Sequence, residues 1–195
     1  FLFAENDVLY AATLTRPGDT LQVRFYRIAL QDEHADWEET WTSMTWEDMM
    51  GFVVHQGVPY VWVYASAATQ VVKYAGGDEP WKDITPEHII GQNPSNPQFL
   101  LGQDHIYLAY TYFDFVTFGN KLNILSLDLS LPQSEWAQAG DSEGIEEMYS
   151  EGQFSAYSIA AADGNPALAA LIELNDGGHA AKVAQLRNGE WLNVA

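Results

Sequence analysis

Val58-Pro59-Tyr60-Val61-Trp62-Val63-Tyr64, then Gln70-Val71-Val72-Lys73-Tyr74, then Pro80-Trp81-Lys82-Asp83 is the stretch that decides the fold. Its β-branched and aromatic residues recur mostly with a period of two, the side-chain period of a strand, and breaker residues separate the runs. A shorter run, Phe52-Val53-Val54, precedes it across His55-Gln56-Gly57, a turn of the kind that tolerates positive φ. The local order is strand, tight turn, strand, strand, and a last strand opened by a Trp.

That order occurs four times. The other first strands read Phe1-Leu2-Phe3, Phe99-Leu100-Leu101 and Tyr157-Ser158-Ile159, and their turns Glu5-Asn6-Asp7, Gly102-Gln103-Asp104 and Asp163-Gly164-Asn165. Second strands run Val8 to Leu14, Ile106 to Tyr112 and Pro166 to Ile172, and third strands Leu21 to Ile28, Leu122 to Leu127 and Ala181 to Leu186. Trp37, Trp81, Trp136 and Trp191 open the fourth strands, a repeat length that signals radial or stacked units. One four-stranded sheet cannot bury both its faces, so the sheets must pack around an axis. The sequence therefore predicts an all-β fold: a β-propeller of four-stranded antiparallel blades, one domain over residues 1–195, with blades near 1–41, 42–83, 84–138 and 139–195. The closing Trp residues read as packing anchors, and Trp62 with Tyr60 and Tyr64 as inter-blade core.

In Pro59-Tyr60-Val61-Trp62-Val63, Val71-Val72-Lys73-Tyr74 and Glu190-Trp191-Leu192-Asn193-Val194-Ala195 the chain resembles bacterial secreted β-propellers of kelch-like or sialidase-like architecture. Blades of that group carry a Pro-Tyr-Val-Ala-Tyr strand, a Val-x-Lys-Tyr strand and a Trp-x-x-Val-Gly end. The resemblance covers nearly the whole chain and implies architecture, since propellers host enzymes, lectins and scaffolds alike. The Gly-His to Trp-Asp signature of WD repeats and the Ser-x-Asp-x-Gly-x-Thr-Trp box of sialidases are both absent from the sequence.

Eight Lys plus Arg against 27 Asp plus Glu give a net charge of -19, which repels phosphate backbones and anionic headgroups. Nucleic acid and membrane insertion are thereby disfavoured as partners. Charged residues make up only 18% of the chain, so the acidity comes from scarce Lys and Arg, a composition that suits an extracellular or periplasmic bacterial protein. There is no Cys for a disulfide or a thiolate metal site. The chain opens at Phe1 without an initiator Met, as expected of a processed product or a part of a longer chain.

Loops between blades, and between second and third strands, share one face of a propeller. On the sequence reading the inter-blade loops span Thr40 to Met50, Ile84 to Gln98 and Ala139 to Ser155, longer than compact domains use for mere connection. From them Trp41, Trp46, Glu47, Asp48, His88 and Tyr149 are the candidate ligand contacts, aromatic rings to stack and carboxylates to take hydroxyl hydrogen bonds. No cofactor is expected. Calcium is the one candidate ion, at Asp141-Ser142-Glu143-Gly144-Ile145-Glu146-Glu147, where the spacing departs from the Asp-x-Asx-x-Asx-Gly pattern. The five His residues show no paired spacing for zinc.

The inner strands, read as Phe1 to Ala4, Phe52 to His55, Phe99 to Gly102 and Tyr157 to Ala161, carry no acid, whereas a glycosidase needs paired carboxylates. The reading is thus a non-catalytic binding propeller for a protein or glycan, and the alternative is a carbohydrate-active enzyme, or a fragment of one, whose acids come from other blades. The repeats hold four whole blades, with no strand shared between the termini. Either four blades close by side-chain packing, as in the hemopexin-like architecture, or they belong to a ring of five to eight completed by further blades or a second chain. Crowding of the axis by Phe1, Phe3, Phe52 and Phe99 favours the larger ring, and its expected sign is an exposed apolar face on a terminal blade.

Overall fold

The computed structural model describes residues 1–17, 21–41, 43–45, 48–65, 68–89, 94–116, 119–131, 134–141, 145–146, 152–162 and 164–194. They build four antiparallel sheets, each running up and down in chain order, which are the four blades of a β-propeller. Blade 1 is β1 (Leu2–Glu5), β2 (Val8–Thr15), β3 (Gln22–Ala29) and β4 (Glu38–Glu39), with β5 (Met44–Thr45) added onto the start of β3. Blade 2 is β6 (Asp48–His55), β7 (Val58–Ala65), β8 (Ala68–Tyr74) and β9 (Trp81–Asp83). After a 3-10 turn at Glu87–Ile89, blade 3 is β10 (Ser95–Leu101), β11 (His105–Asp114), β12 (Gly119–Asp128) and β13 (Trp136–Gln138). Blade 4 is β14 (Gly152–Ala162), β15 (Asn165–Leu174), β16 (His179–Arg187) and β17 (Glu190–Asn193). The chain divides into two compact units of two blades each, Phe1–Gly91 and Gln92–Ala195. No helix among the described residues is long and apolar enough to cross a membrane.

Turn chemistry fixes the register of three hairpins, β1–β2, β6–β7 and β16–β17. Asn6 and Asp7, Gln56 and Gly57, and Asn188 and Gly189 hold φ between 48° and 85°, the left-handed pair that a two-residue hairpin matched to strand twist requires. The first strands reach further back than the alternation in the sequence suggests: β6 begins at Asp48, β10 at Ser95 and β14 at Gly152. Each contains a bulge, between Met49 and Gly51, Ser95 and Gln98, and Phe154 and Ala156. An extra residue in the strand flips the phase of the alternation, so the segment before it no longer reads as strand. The inter-blade loops are correspondingly shorter than expected.

Within a unit, the face of a blade that looks to the next blade is its leading face, and the opposite one its trailing face. In the first unit, Tyr10, Ala12, Val23 and Phe25 of blade 1 pack against Phe52, Val54, Val61 and Val72 of blade 2. Phe25 is wholly buried, with ring centroids 5.7 Å from Phe52 and 5.1 Å from Trp81. In the second unit, Tyr107, Ala109 and Ile124 of blade 3 meet Ile159, Leu168, Ala184 and Trp191 of blade 4. Trp62 is fully buried and Tyr60 buried, as expected of core.

The closing Trp residues do not all behave alike. Trp191 is 3% exposed and its indole Nε1 donates to the Ala139 carbonyl at 2.7 Å. The chain entering blade 4 crosses there so closely that Gly140, at φ +74°, has no room for a side chain: a Cβ would stand 2.5 Å from Leu186 Cδ1 and 2.9 Å from the Gly189 carbonyl oxygen. Trp81 packs on the first core at its edge. Trp37 departs from the anchor expectation, because it is 46% exposed. It lies on the trailing face of blade 1, and its unit has no preceding blade to cover that face.

Trp191→Ala is expected to cost about 3 to 5 kcal/mol in chemical denaturation, since a large ring is removed where its surroundings cannot collapse. Trp37→Ala should stay within about 0.5 kcal/mol of the parent. Equal losses for the two would refute the assignment of trailing-face burial.

Candidate functional site

The loops after each second strand and those leading into each first strand emerge at one end of an up-and-down sheet, so they define a loop face for each unit. In the first unit the chain reaches this face at Trp41, which is partly buried against the first core. Thr40 N still donates to the Phe25 carbonyl at 2.9 Å, which turns the chain back over blade 1. The Trp41 ring therefore lies stacked on Tyr10 at 5.3 Å and edge-on to Phe25 at 5.8 Å, packed against the first core. The indole expected as a free loop aromatic closes the end of the blade 1 to blade 2 interface.

Asp48 is exposed and opens β6 opposite Tyr64, in a strand and not in a loop, with Oδ1 accepting from the Met49 amide at 2.8 Å. His88 stands in the 3-10 turn Glu87–Ile89. Trp46, Glu47 and Tyr149 lie outside the described residues. The same end of the first unit carries a polar chain that the sequence pattern did not flag. Arg24 Nε donates to Gln22 Oε1 at 3.3 Å, Gln22 Nε2 donates to Ser43 Oγ at 2.6 Å, and Thr15 Oγ1 donates to the Gln22 carbonyl at 3.2 Å. Such donors suit hydroxyls or a carboxylate.

In the second unit the loop face is marked by the end of the β11 and β12 hairpin. Phe115 is 77% and Val116 88% exposed, and Phe115 meets the half-exposed Phe113 edge to face at 5.1 Å. The carboxylate between them is fully engaged in holding the turn: Asp114 Oδ1 accepts the Val116 amide at 2.9 Å and Oδ2 pairs with Lys121 Nζ at 2.7 Å. The corresponding stretches of blades 1 and 4, Arg16-Pro17-Gly18-Asp19-Thr20 and Asn175-Asp176-Gly177-Gly178, are polar. Among the described residues, blade 3 thus carries an exposed apolar tip beside an ion pair. The signal was in the sequence, Phe113-Asp114-Phe115-Val116, immediately past the point where the strand reading stopped.

Below this tip the polar groups are spent on structure. Gln98 clamps blade 3 to blade 4, its Nε2 donating to the Tyr157 carbonyl at 2.9 Å while Oε1 accepts the Ile159 amide at 3.0 Å. The Tyr157 hydroxyl donates back to the Asn96 carbonyl. Burial raises the Tyr157 phenol well above its ordinary range and pushes that of Tyr110, whose hydroxyl accepts from Asn123 Nδ2 at 2.7 Å, up to about 12, so both stay neutral at ordinary pH and neither can serve as a base.

First strands of the two blades in each unit approach one another, β1 with β6 and β10 with β14, and so form the inner strands. With the strand ends corrected, they do hold acids, Glu5 at the end of β1 and Asp48 at the start of β6. Glu5 lies at the far end, where its two oxygens accept the amides of Gln56 and Gly57 at 2.7 and 3.2 Å. The whole of β6 separates it from Asp48, roughly 20 Å at about 3.3 Å per residue. Glycoside hydrolysis uses carboxyls about 5 to 10 Å apart. β10 and β14 carry no carboxylate in Ser95–Leu101 or Gly152–Ala162. Among the described residues no three His, Asp or Glu side chains gather to hold a metal ion, and residues 142–144 and 147 of the calcium candidate lie outside them.

Fold and site together define a β-propeller with a polar and aromatic loop face. No family model matches the chain, and no curated protein matches it in sequence. Among solved structures, that of YjhT is similar over 100% of this chain and 64% of its own, at 14% identity and a TM-score of 0.62. The chain thus spans less than two thirds of the length of that protein, and the likeness is one of fold. An endo-arabinase from Bacteroides thetaiotaomicron, 14% identical over 99% of this chain and 78% of its own, reaches a TM-score of 0.49. An exo-1,5-alpha-L-arabinanase from a bovine ruminal metagenomic library, 13% identical over 100% and 76%, reaches 0.47.

Trp41→Ala is expected to lower stability by about 2 to 3 kcal/mol, somewhat less than a fully buried ring, because it removes stacking on Tyr10 and uncovers Phe25. A thermal midpoint equal to the parent's would return Trp41 to the set of free loop aromatics.

Proposed function

We propose that this chain is a non-catalytic, extracytoplasmic binding propeller that meets a glycan or a protein with its loop face. The observation that carries this reading is the apolar tip of blade 3. Phe115 and Val116 are presented to solvent beside the Asp114–Lys121 ion pair, which ties β11 to β12 at the base of the exposed tip. Exposed aromatics on ordered loops are typical of recognition surfaces, where ring faces stack and bury area at low entropic cost. In the second unit Tyr149 is the further proposed contact; in the first unit the proposed contacts are Asp48, His88, Trp46 and Glu47, with the Arg24, Gln22 and Ser43 chain as a source of hydrogen bonds. Trp41, partly buried against the first core, keeps its place among the first unit's proposed contacts at the edge of that core.

The separation of Glu5 and Asp48 speaks against hydrolysis by the described inner strands. Screening the protein on a glycan array and against labelled extracellular proteins tests the reading. Phe115→Ala should weaken whatever is captured at least tenfold, while the thermal midpoint moves by no more than about 1 to 2 °C, as for an exposed substitution. Captured glycans should be recovered intact. Binding unchanged by Phe115→Ala, or release of new reducing ends from a captured glycan, would contradict the proposal.

A further inference from the structure

Lys73 and Lys82 face each other across the two outer strands of blade 2. They are register partners in β8 and β9, and the same row continues through Tyr60 of β7 to Val53 of β6. The Ala75 amide donates to the Pro80 carbonyl at 2.7 Å and the Ile84 amide to the Val71 carbonyl at 2.8 Å. Lying two residues from either bond, Lys73 and Lys82 take the hydrogen-bonded kind of antiparallel position, with Cα atoms about 5.5 Å apart. Their strand neighbours Val72 and Trp81 are turned to the first core, so both lysines stand on the other side of the sheet.

Such a pairing is unfavourable by itself. Like charges directly opposite in a sheet repel, and Lys73 is half-buried, which weakens the hydration of its ammonium group. With 27 Asp plus Glu against eight Lys plus Arg, carboxylate partners are abundant, and Arg27 and Lys121 have them in Glu38 and Asp114. Among the described residues, neither Lys73 nor Lys82 makes an ion pair or a side-chain hydrogen bond. The acid nearest in the strand, Asp83, alternates to the core side and is engaged by Thr85, whose amide and hydroxyl donate to its Oδ1 at 2.8 and 2.5 Å. Tyr60, next in the row, is buried, and burial raises its phenol above the ordinary range, so the hydroxyl keeps its proton. Among the described residues that hydroxyl has no hydrogen-bond partner.

From this row we infer a binding site for a doubly charged tetrahedral oxyanion, a sulfate or phosphate group, held between Lys73 and Lys82 with the Tyr60 hydroxyl beside it. Charge balance selects the class, since two ammonium groups match one dianion. Lysine binds such groups as a compact point charge, whereas the planar fork of arginine is what a carboxylate calls for. The net charge of -19 does not prevent this, because a Debye length of about 8 Å at physiological salt leaves the two nearest cations to dominate the local field. The site lies toward the end of β8, away from the loop face, and is independent of the function proposed for that face.

Titration of the chain with sodium sulfate and, separately, with sodium phosphate, against sodium chloride at equal ionic strength, tests the inference by calorimetry and amide NMR shifts. Saturable binding of one dianion per chain is expected, with shifts concentrated in residues 71–75 and 80–84 and none of this in chloride. Phosphate should bind more tightly as pH rises through its second ionisation, while sulfate binding stays level. Lys73→Gln and Lys82→Gln should each weaken binding at least tenfold. In chloride both variants should melt at or above the parent, because repulsion is relieved, and in saturating sulfate the parent should overtake them. Binding of only one of the two dianions supports the inference and identifies the group. Failure of both to bind at millimolar concentration, binding that survives both substitutions, or shifts confined to other strands would overturn it. So would variants that melt well below the parent in chloride, which would make the lysines structural.

Discussion

Everything in this fold rests on one contact: the trailing face of a blade buried under the leading face of the blade before it. In the first unit it is the meeting of Phe25 with Phe52 and Trp81, with Trp41 laid over the end. Hydrogen bonding inside a blade leaves two apolar faces and so cannot stabilise it alone. The short outer strands follow from the same constraint. β4, β9 and β13 need only carry the closing residue to its neighbour, and brevity limits the edge they offer to stray pairing.

Much of this was legible in the sequence. Period-two alternation gave the strands, positive-φ turn residues gave the hairpins, and the phase of the Trp residues gave the repeat. What could not be read depends on context that a single strand does not encode. Bulges near Gly51, Gln98 and Ala156 hid the beginnings of the inner strands, and with them the strand position of Asp48. Trp37 lies exposed because burial of a closing Trp requires a preceding blade, whereas Trp41 is half-buried by the chain turning back through the backbone bond from Thr40 to Phe25. The tip at Phe115 was missed because aromatics were sought between blades and not within a hairpin.

For function, the decisive comparison is between carboxylates that are apart and aromatics that are together. Glu5 is committed to the turn amides of Gln56 and Gly57, where it ties the base of blade 1 to blade 2. Phe113 and Phe115, by contrast, pair edge to face at the exposed end of a hairpin. Polar groups such as Gln98 are spent on clamps between blades, and on the proposed reading recognition falls to the loop ends, the usual division of labour in repeat folds.

The claim that successive blades are held by trailing-face rings against leading-face rings is tested most directly by a double-mutant cycle between Phe25 and Trp81. Chemical denaturation of Phe25→Leu, Trp81→Leu and the double variant should give a coupling of about 0.5 to 1.5 kcal/mol, the range for a packed aromatic pair. Additivity within about 0.3 kcal/mol would contradict the account.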